Sequence, residues 1–250
     1  MNKKAGCKTV AIMQPTYLPW LGYFDLIDAV DVFVFLDNVQ FEKTTWHQRN
    51  QLRTHKGLEW ITVPALTSGR FGQLIKEVEL KDMIFVNKHL KQIAHNYQKS
   101  KEFERYFEEF SAVFHQAASK GALCHLNVEL IKWLCSKFQI STRLVMASDL
   151  RIQGKRSELI VSILSALDSV VYVSPRGSAD YITSDYRIFE QNGISVFYHR
   201  YTHPEYAQIY KPFMPHACAL DVLFNEGERS KKIINSGRES LIVASEAAAQ

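Results

Sequence analysis

Thr9-Val-Ala-Ile-Met-Gln-Pro15 and Asp31-Val-Phe-Val-Phe-Leu-Asp37 are two short apolar runs, and reading them decides the fold. Neither alternates apolar with polar residues, so each reads as a strand buried on both faces. Pro15 lacks the N–H that a central ladder requires, which ends the first strand. Between the runs, Gly22-Tyr-Phe-Asp-Leu-Ile-Asp-Ala-Val30 places Phe24 and Ile27 on one side of a short helix. Strand, helix and strand in this order form a βαβ unit, and the right-handed crossover rule makes its strands parallel.

Downstream, Trp46 to Arg53 and Glu59 to Pro64 flank the turn-rich Thr54-His-Lys-Gly57 and read as a hairpin. Gln73 to Leu80 reads as a further short strand. Three helices are expected next. Their apolar stripes run through Leu90, Ile93 and Tyr97, then Phe103, Tyr106, Phe110 and Phe114, then Leu123, Leu126, Leu130 and Leu134. Strands at Thr142 to Ala147, Val170 to Val173 and Ile194 to Tyr201 then alternate with a helix at Ser157 to Leu167, and Leu220 to Phe224 is again helical. The expected architecture is α/β, a Rossmann-like and mostly parallel sheet with a small β-hairpin. It forms one domain over 1–250, with a helical insertion at about 83–139 and a frayed tail at about 239–250.

Composition narrows the function classes. The 250 residues are 46% hydrophobic and 22% charged, values that suit a globular protein with a full-sized core. A net charge of +4, scattered among acidic residues, argues against a nucleic-acid partner but permits a locally positive cleft. No apolar run reaches the ~20 residues of a membrane helix, and no signal peptide is read, so a cytoplasmic protein without membrane insertion is expected. Cys7, Cys124, Cys135 and Cys218 are widely spaced without a CxxC, which fits reduced thiols. No metal site is expected: His199 and His203 have no third ligand at a suitable spacing.

Open α/β sheets bind ligands beyond the carboxyl ends of their strands. Five polar loops fall there: Gln14 to Gly22, Asp37 to Asn50, Ser148 to Ser157, Ser174 to Ser178 and His203 to Gln208. Loops are polar in any protein, so polarity alone does not make a site. Gly154-Lys-Arg-Ser157 and Ser174-Pro-Arg-Gly-Ser178 stand out, because each joins a cation, a hydroxyl and free backbone N–H groups at a helix start. That combination suits phosphate, although neither follows the Walker pattern. Trp20 and Trp46 read equally well as stacking platforms and as core anchors.

Four ordered stretches resemble the WbqC-like family. They are Ile12-Met-Gln-Pro-Thr-Tyr-Leu-Pro-Trp-Leu-Gly-Tyr-Phe-Asp-Leu-Ile27; Asp37-Asn-Val-Gln-Phe-Glu-Lys43 running on to Trp46 and Arg49-Asn50; Gly154-Lys-Arg-Ser-Glu-Leu159; and His203-Pro-Glu-Tyr-Ala-Gln208 running on to Ala219-Leu-Asp-Val-Leu-Phe-Asn-Glu-Gly227. Ser174-Pro-Arg-Gly-Ser178 departs from the family pattern, which has a second glycine soon after the serine. The resemblance implies a bacterial cytoplasmic protein associated with surface-polysaccharide (O-antigen) biosynthesis. A weaker likeness joins the first turn to the histidine-glycine-histidine turn of nucleotidyltransferase-type folds, with Trp20 and Tyr23 in the histidine positions.

The function expected from this resemblance is transfer of an acyl or aminoacyl group to an amino sugar, nucleotide- or lipid-linked. The alternative is a non-catalytic nucleotide-sugar-binding or scaffold protein. In the enzyme reading Asp37 or His203 serves as base and Gln14 orients the acceptor. Tyr17, Trp20, Gly22, Tyr23, Gln40, Lys43, Trp46, Arg49, Asn50, Tyr206 and Gln208 contact substrate. Lys155, Arg156, Ser157, Ser174, Arg176 and Gly177 hold phosphate. No cofactor is fixed: ATP with Mg²⁺ suits activation in place, and acyl-CoA suits a ready-made donor. A homodimer stays open.

Overall fold

The computed structural model describes residues 8–247, so Cys7 and residues 248–250 lie outside the description. Strand β1 (Thr9–Met13) leads through helix α1 (Leu21–Asp28) to strand β2 (Val32–Phe35). The two strands pair in parallel, from Val10 opposite Val32 to Met13 opposite Phe35. Strands β3 (Arg49–Thr54) and β4 (Gly57–Thr62) form a separate antiparallel hairpin. Helices α2 (Ile84–Tyr97), α3 (Phe103–Ala118) and α4 (Leu123–Lys137) follow. The α/β alternation resumes with β5 (Arg143–Met146), α5 (Arg156–Ala166), β6 (Val171–Pro175), α6 (Ala179–Ser184), α7 (Tyr186–Gln191) and β7 (Ser195–His199). The described chain closes with α8 (Leu220–Glu226), α9 (Ser230–Ser236), β8 (Ile242–Val243) and α10 (Ala244–Ala247).

The main sheet has six strands in the order β5-β2-β1-β6-β7-β8. All its neighbours pair in parallel except β7 and β8. The chain winds outward from β1 through β2 to β5, then returns to the other side of β1 at β6. The winding direction therefore reverses between β1 and β6, and the crevice beyond their carboxyl ends is where such sheets take ligands.

Period-two alternation divides the strand side chains between two cores. Val10, Ile12, Val32 and Val34 face one core with α5 and α7, whereas Ala11, Phe33 and Phe35 face the other. That second core also takes in the hairpin, α2, α3, α4 and α8. The expected Rossmann-like sheet, helices and hairpin are thus all present.

Two local expectations change. Residues 73–80 contain a 3₁₀ turn at Ile75–Glu77 and isolated bridges rather than a strand. Their backbone groups serve several partners: Ile75 N–H donates to Val39, Leu80 N–H to Gly121, and Val78 C=O accepts from Leu123. No single neighbouring strand offers them a ladder. The tail, expected to fray from about 239, instead folds back, with Ile242 and Val243 pairing antiparallel with Tyr198 and Phe197.

Candidate functional site

A cavity of about 630 Å³ opens at the reversal point, lined by Met13 and Gln14 after β1, Pro175 to Ser178 after β6, and His199 to Thr202 after β7. A second cavity of about 270 Å³ adjoins it and shares Met13, Trp20 and Tyr23. Trp20 thus stands between two chambers of one cleft. Thr16, Trp46, Asn50 and His216 complete the smaller chamber.

The turn from β1 to α1 is held by bonds to its backbone. Asn50 donates from its amide to the carbonyls of Tyr17 (3.2 Å) and Leu18 (2.7 Å). Asn127 donates to Pro15 at 3.2 Å and to His47 at 2.7 Å. The Tyr17 N–H donates to Trp46 and the Ala219 N–H to Pro19. These bonds satisfy a buried segment that has no ladder, and they hold Leu18 at a φ of 43°. The Tyr17 hydroxyl bonds His89 Nδ1 at 2.8 Å, and His89 Nε2 meets the Thr62 carbonyl at 3.1 Å. Tyr17 is therefore fully buried and braces the turn from behind, away from both chambers.

Gly22 makes room for an indole. A Cβ at this position would lie 2.4 Å from the Trp20 ring, which folds over the start of α1. Tyr23 donates its hydroxyl to the Gln14 carbonyl at 3.0 Å, leaving the Gln14 side chain on the wall of the larger chamber. Burial raises the Tyr23 phenol well above its ordinary range, so it stays protonated.

A paired histidine and buried carboxylate stand at the end of β7. His199 Nε2 lies 2.7 Å from Asp25 Oδ2, and Asp25 is a fully buried carboxylate of α1. Arg238 Nε donates to Asp25 Oδ1 at 2.9 Å, and the same guanidinium reaches Asp28 at 2.9 Å. Burial favours neutral Asp28, but Arg238 and Lys231 outweigh it and hold its carboxyl below the usual range. The contact to Asp25 engages Nε2 of His199 and leaves Nδ1 as the ring's other nitrogen. That Nδ1 has no protein partner among the described residues, and the ring lines the larger chamber. A histidine oriented by a buried carboxylate at a cleft wall is the geometry of a general base.

Cations line the same chamber. Arg176 is exposed there, without an ion pair among the described residues, beside Gly177 and Ser178. Arg200 is paired with Glu239 at 2.6 Å. Glu239 also accepts from the Thr202 hydroxyl. Ser174 is buried and donates to the Pro175 carbonyl at 3.2 Å. Lys155 and Arg156 are exposed at the start of α5, outside both chambers, and the Ser157 hydroxyl donates to Asp185 at 2.7 Å.

Other expected residues sit elsewhere. Asp37 is buried with both carboxylate oxygens occupied by Ser148, which donates its N–H at 2.9 Å and its hydroxyl at 2.6 Å. It fastens the end of β2 to the turn after β5, outside both chambers. Gln40 and Lys43 are exposed on the loop leading to Trp46. Trp46 packs on Trp60 at 5.3 Å, and the Arg49 guanidinium lies 4.1 Å over Trp60.

His203 sits among rings, 6.2 Å from Trp20 and 5.0 Å from His216. Burial, and secondarily His216, lowers its pKa to about 4. Tyr206 and Gln208 both donate to Asp221 Oδ2, at 2.6 and 2.8 Å. Asp221 is fully buried, and burial raises its pKa despite these donors. These three residues lock the segment after β7 onto α8.

Burial also pushes the thiols of Cys124, Cys135 and Cys218 up to about 12, so they are poor nucleophiles. Among the described residues no group of three or more His, Cys, Asp and Glu could hold a metal. No helix there is long and apolar enough to cross a membrane.

Sequence reasoning passed over Asp25, Arg200, Arg238 and Glu239, and weighed His199 only as a metal ligand. One signal was available: Asp25 interrupts the apolar helix Leu21–Asp28, where a buried acid needs a partner. Its partners lie 174 and 213 positions away, beyond any local pattern.

The model of the WbqC-like protein family matches residues 14–233. The chain is also similar to the uncharacterized protein Rv1507c of Mycobacterium tuberculosis (strain ATCC 25618 / H37Rv). The two are 32% identical over 233 residues, which cover 93% of this chain and 100% of that relative. No solved structure matches.

Proposed function

The chain belongs to the WbqC-like protein family, and from that premise we propose that it is a group-transfer enzyme. It moves an acyl or aminoacyl group to the amine of a phosphate-linked amino sugar, within bacterial surface-glycan assembly in the cytoplasm. The observation that carries this reading is His199 held at 2.7 Å by buried Asp25 on the wall of the 630 Å³ chamber. An amine needs a proton acceptor before it can complete attack on a carbonyl.

In this reading His199 Nδ1 takes the amine proton as the C–N bond forms, and the bond from the carbonyl carbon to the leaving group breaks. The leaving group departs with its electron pair. Asp25 fixes the tautomer and stabilises the imidazolium. Arg176 meets the phosphate of the acceptor, as a guanidinium at a cleft wall without an ion pair among the described residues is suited to do. Gln14, beside it, is placed to orient the acceptor.

A thermal-shift screen against nucleotides, nucleotide-sugars and acyl-CoA thioesters, with and without Mg²⁺, identifies the donor. A ligand at a hundred times its Kd adds ~2.7 kcal/mol of stability. A shift with ATP and Mg²⁺ points to activation of a carboxylic acid in place, and a shift with a thioester points to a ready-made donor. With the donor known, His199→Gln should lower kcat by roughly 10²–10⁴-fold while ligand-induced stabilisation persists. Full turnover in that variant would remove His199 as the base, and ligand-induced stabilisation without turnover in the wild-type chain would convert the reading to a non-catalytic nucleotide-sugar binder.

A further inference from the structure

The smaller chamber differs in chemistry from the larger one. Its walls are the rings of Trp20, Tyr23, Trp46 and His216, with Met13 at the junction. Its polar groups are few and mostly committed. The Asn50 amide N–H groups serve Tyr17 and Leu18, and its oxygen accepts from Gln51 N–H at 2.7 Å. The Tyr23 hydroxyl serves Gln14. That leaves the Thr16 hydroxyl and the His216 ring nitrogens free of protein hydrogen bonds among the described residues.

We propose that this chamber is a nucleobase site and that the ligand spans the cleft, with its base among these rings and its phosphates toward Arg176. This rests on the group-transfer reading for the larger chamber and specifies how the phosphate-linked substrate is carried. A flat ring with two or three polar edge atoms matches aromatic walls and two uncommitted polar groups. A pyranose ring, with a hydroxyl on most of its carbons, would leave several of them unpaired there. Trp46 is suited to the role because it is 50% exposed yet backed by Trp60, which fixes one face and leaves ring surface for a ligand. The two chambers meet at Trp20, so one extended molecule can occupy both.

The test is calorimetric titration of the full chain with UMP, AMP, inorganic phosphate and glucosamine, before and after Trp46→Ala. A nucleoside monophosphate should bind at least tenfold more tightly than inorganic phosphate, and Trp46→Ala should remove about tenfold of that affinity, as the loss of one base–aromatic stack does. Phosphate binding should be unchanged in Trp46→Ala and lost in Arg176→Ala. Trp46→Phe should recover most of the nucleotide affinity, which separates stacking from a folding defect.

Equal binding of UMP, AMP and phosphate would overturn the inference, and so would undiminished nucleotide binding in Trp46→Ala. If Trp46→Ala instead loses only glucosamine binding, the chamber takes the sugar, and the group-transfer reading survives without the nucleobase site. If no phosphate-bearing probe binds the wild-type chain, both fall.

Discussion

The turn after β1 and the loop after β6 line the same chamber, yet they are held by different means. The first is fastened by side-chain amides from β3 and α4, by a hydroxyl–imidazole pair behind it, and by an indole folded over Gly22. The second carries Arg176 and Gly177 exposed, with the buried Ser174 hydroxyl bonded to the neighbouring Pro175 carbonyl. One wall therefore spends its polar groups on its own shape and turns rings and the oriented His199 to the cleft. The other leaves Arg176 exposed there. Substitutions on the first should register mostly as lost stability, and those on the second as lost binding.

The largest effect is expected at Asp25. Replacing it with Ala strands His199 and Arg238 without their carboxylate, a loss of roughly 3–5 kcal/mol in urea unfolding. A loss under 1 kcal/mol would mean that α1 is not anchored by this carboxylate. Next is the acid response of His89, whose pKa burial lowers to about 4. Its unfolded value near 6.5 is higher, so the unfolded chain binds more protons between the two. Stability is therefore fully present above about pH 6.5 and lost as pH falls toward 4, on the order of 3 kcal/mol from this group. His203, lowered to about 4 as well, adds a similar loss, so His89→Gln should reduce rather than abolish the slope in that range, and an unchanged curve would assign the acid loss to other groups.

A smaller loss, roughly 1–3 kcal/mol, is expected for Gly22→Val, because its side chain takes the space of the Trp20 ring. The displaced indole should also alter tryptophan fluorescence and ligand binding in both chambers. A normal melting temperature with normal binding would refute this. The smallest change belongs to the other wall: Arg176→Ala should stay within ~0.5 kcal/mol of wild-type stability while losing affinity for inorganic phosphate. Destabilisation above 1 kcal/mol would erase the contrast between the walls.

The sheet was legible because β1 and β2 are apolar runs flanking a short helix, and local patterning is enough to place them. Residues 73–80 misled because a short run with apolar residues at 74, 75, 78 and 80 looks alike in a strand and in a segment that shares its backbone bonds among Val39, Gly121 and Leu123. The site was only partly legible, since the strand-end rule flags loops without saying where each side chain goes. Trp20, Tyr23, Trp46, Asn50, Arg176 and Gly177 fall on the cleft walls. Asp37 stands at a strand end as expected, but Ser148, 111 positions on, takes both its oxygens. His203-Pro-Glu-Tyr-Ala-Gln208 is conspicuous as a motif, while its bonds to Asp221 appear only when α8 is in place. His199 lay inside an expected strand, where only its distant partner marks it out.

The bond from Arg238 to Asp25 also has a meaning in time. A chain emerging from the ribosome exposes Asp25 early and acquires its guanidinium partner 213 residues later. Until then Asp25 lacks the guanidinium that bonds its Oδ1, and Glu239 is not yet present to pair with Arg200. A domain folds as a unit, and the turn after β1 itself waits for Ala219 to reach Pro19, so both walls of the cleft depend on residues made late. A chain cut short before Arg238 would therefore lack the guanidinium that bonds the carboxylate beside His199.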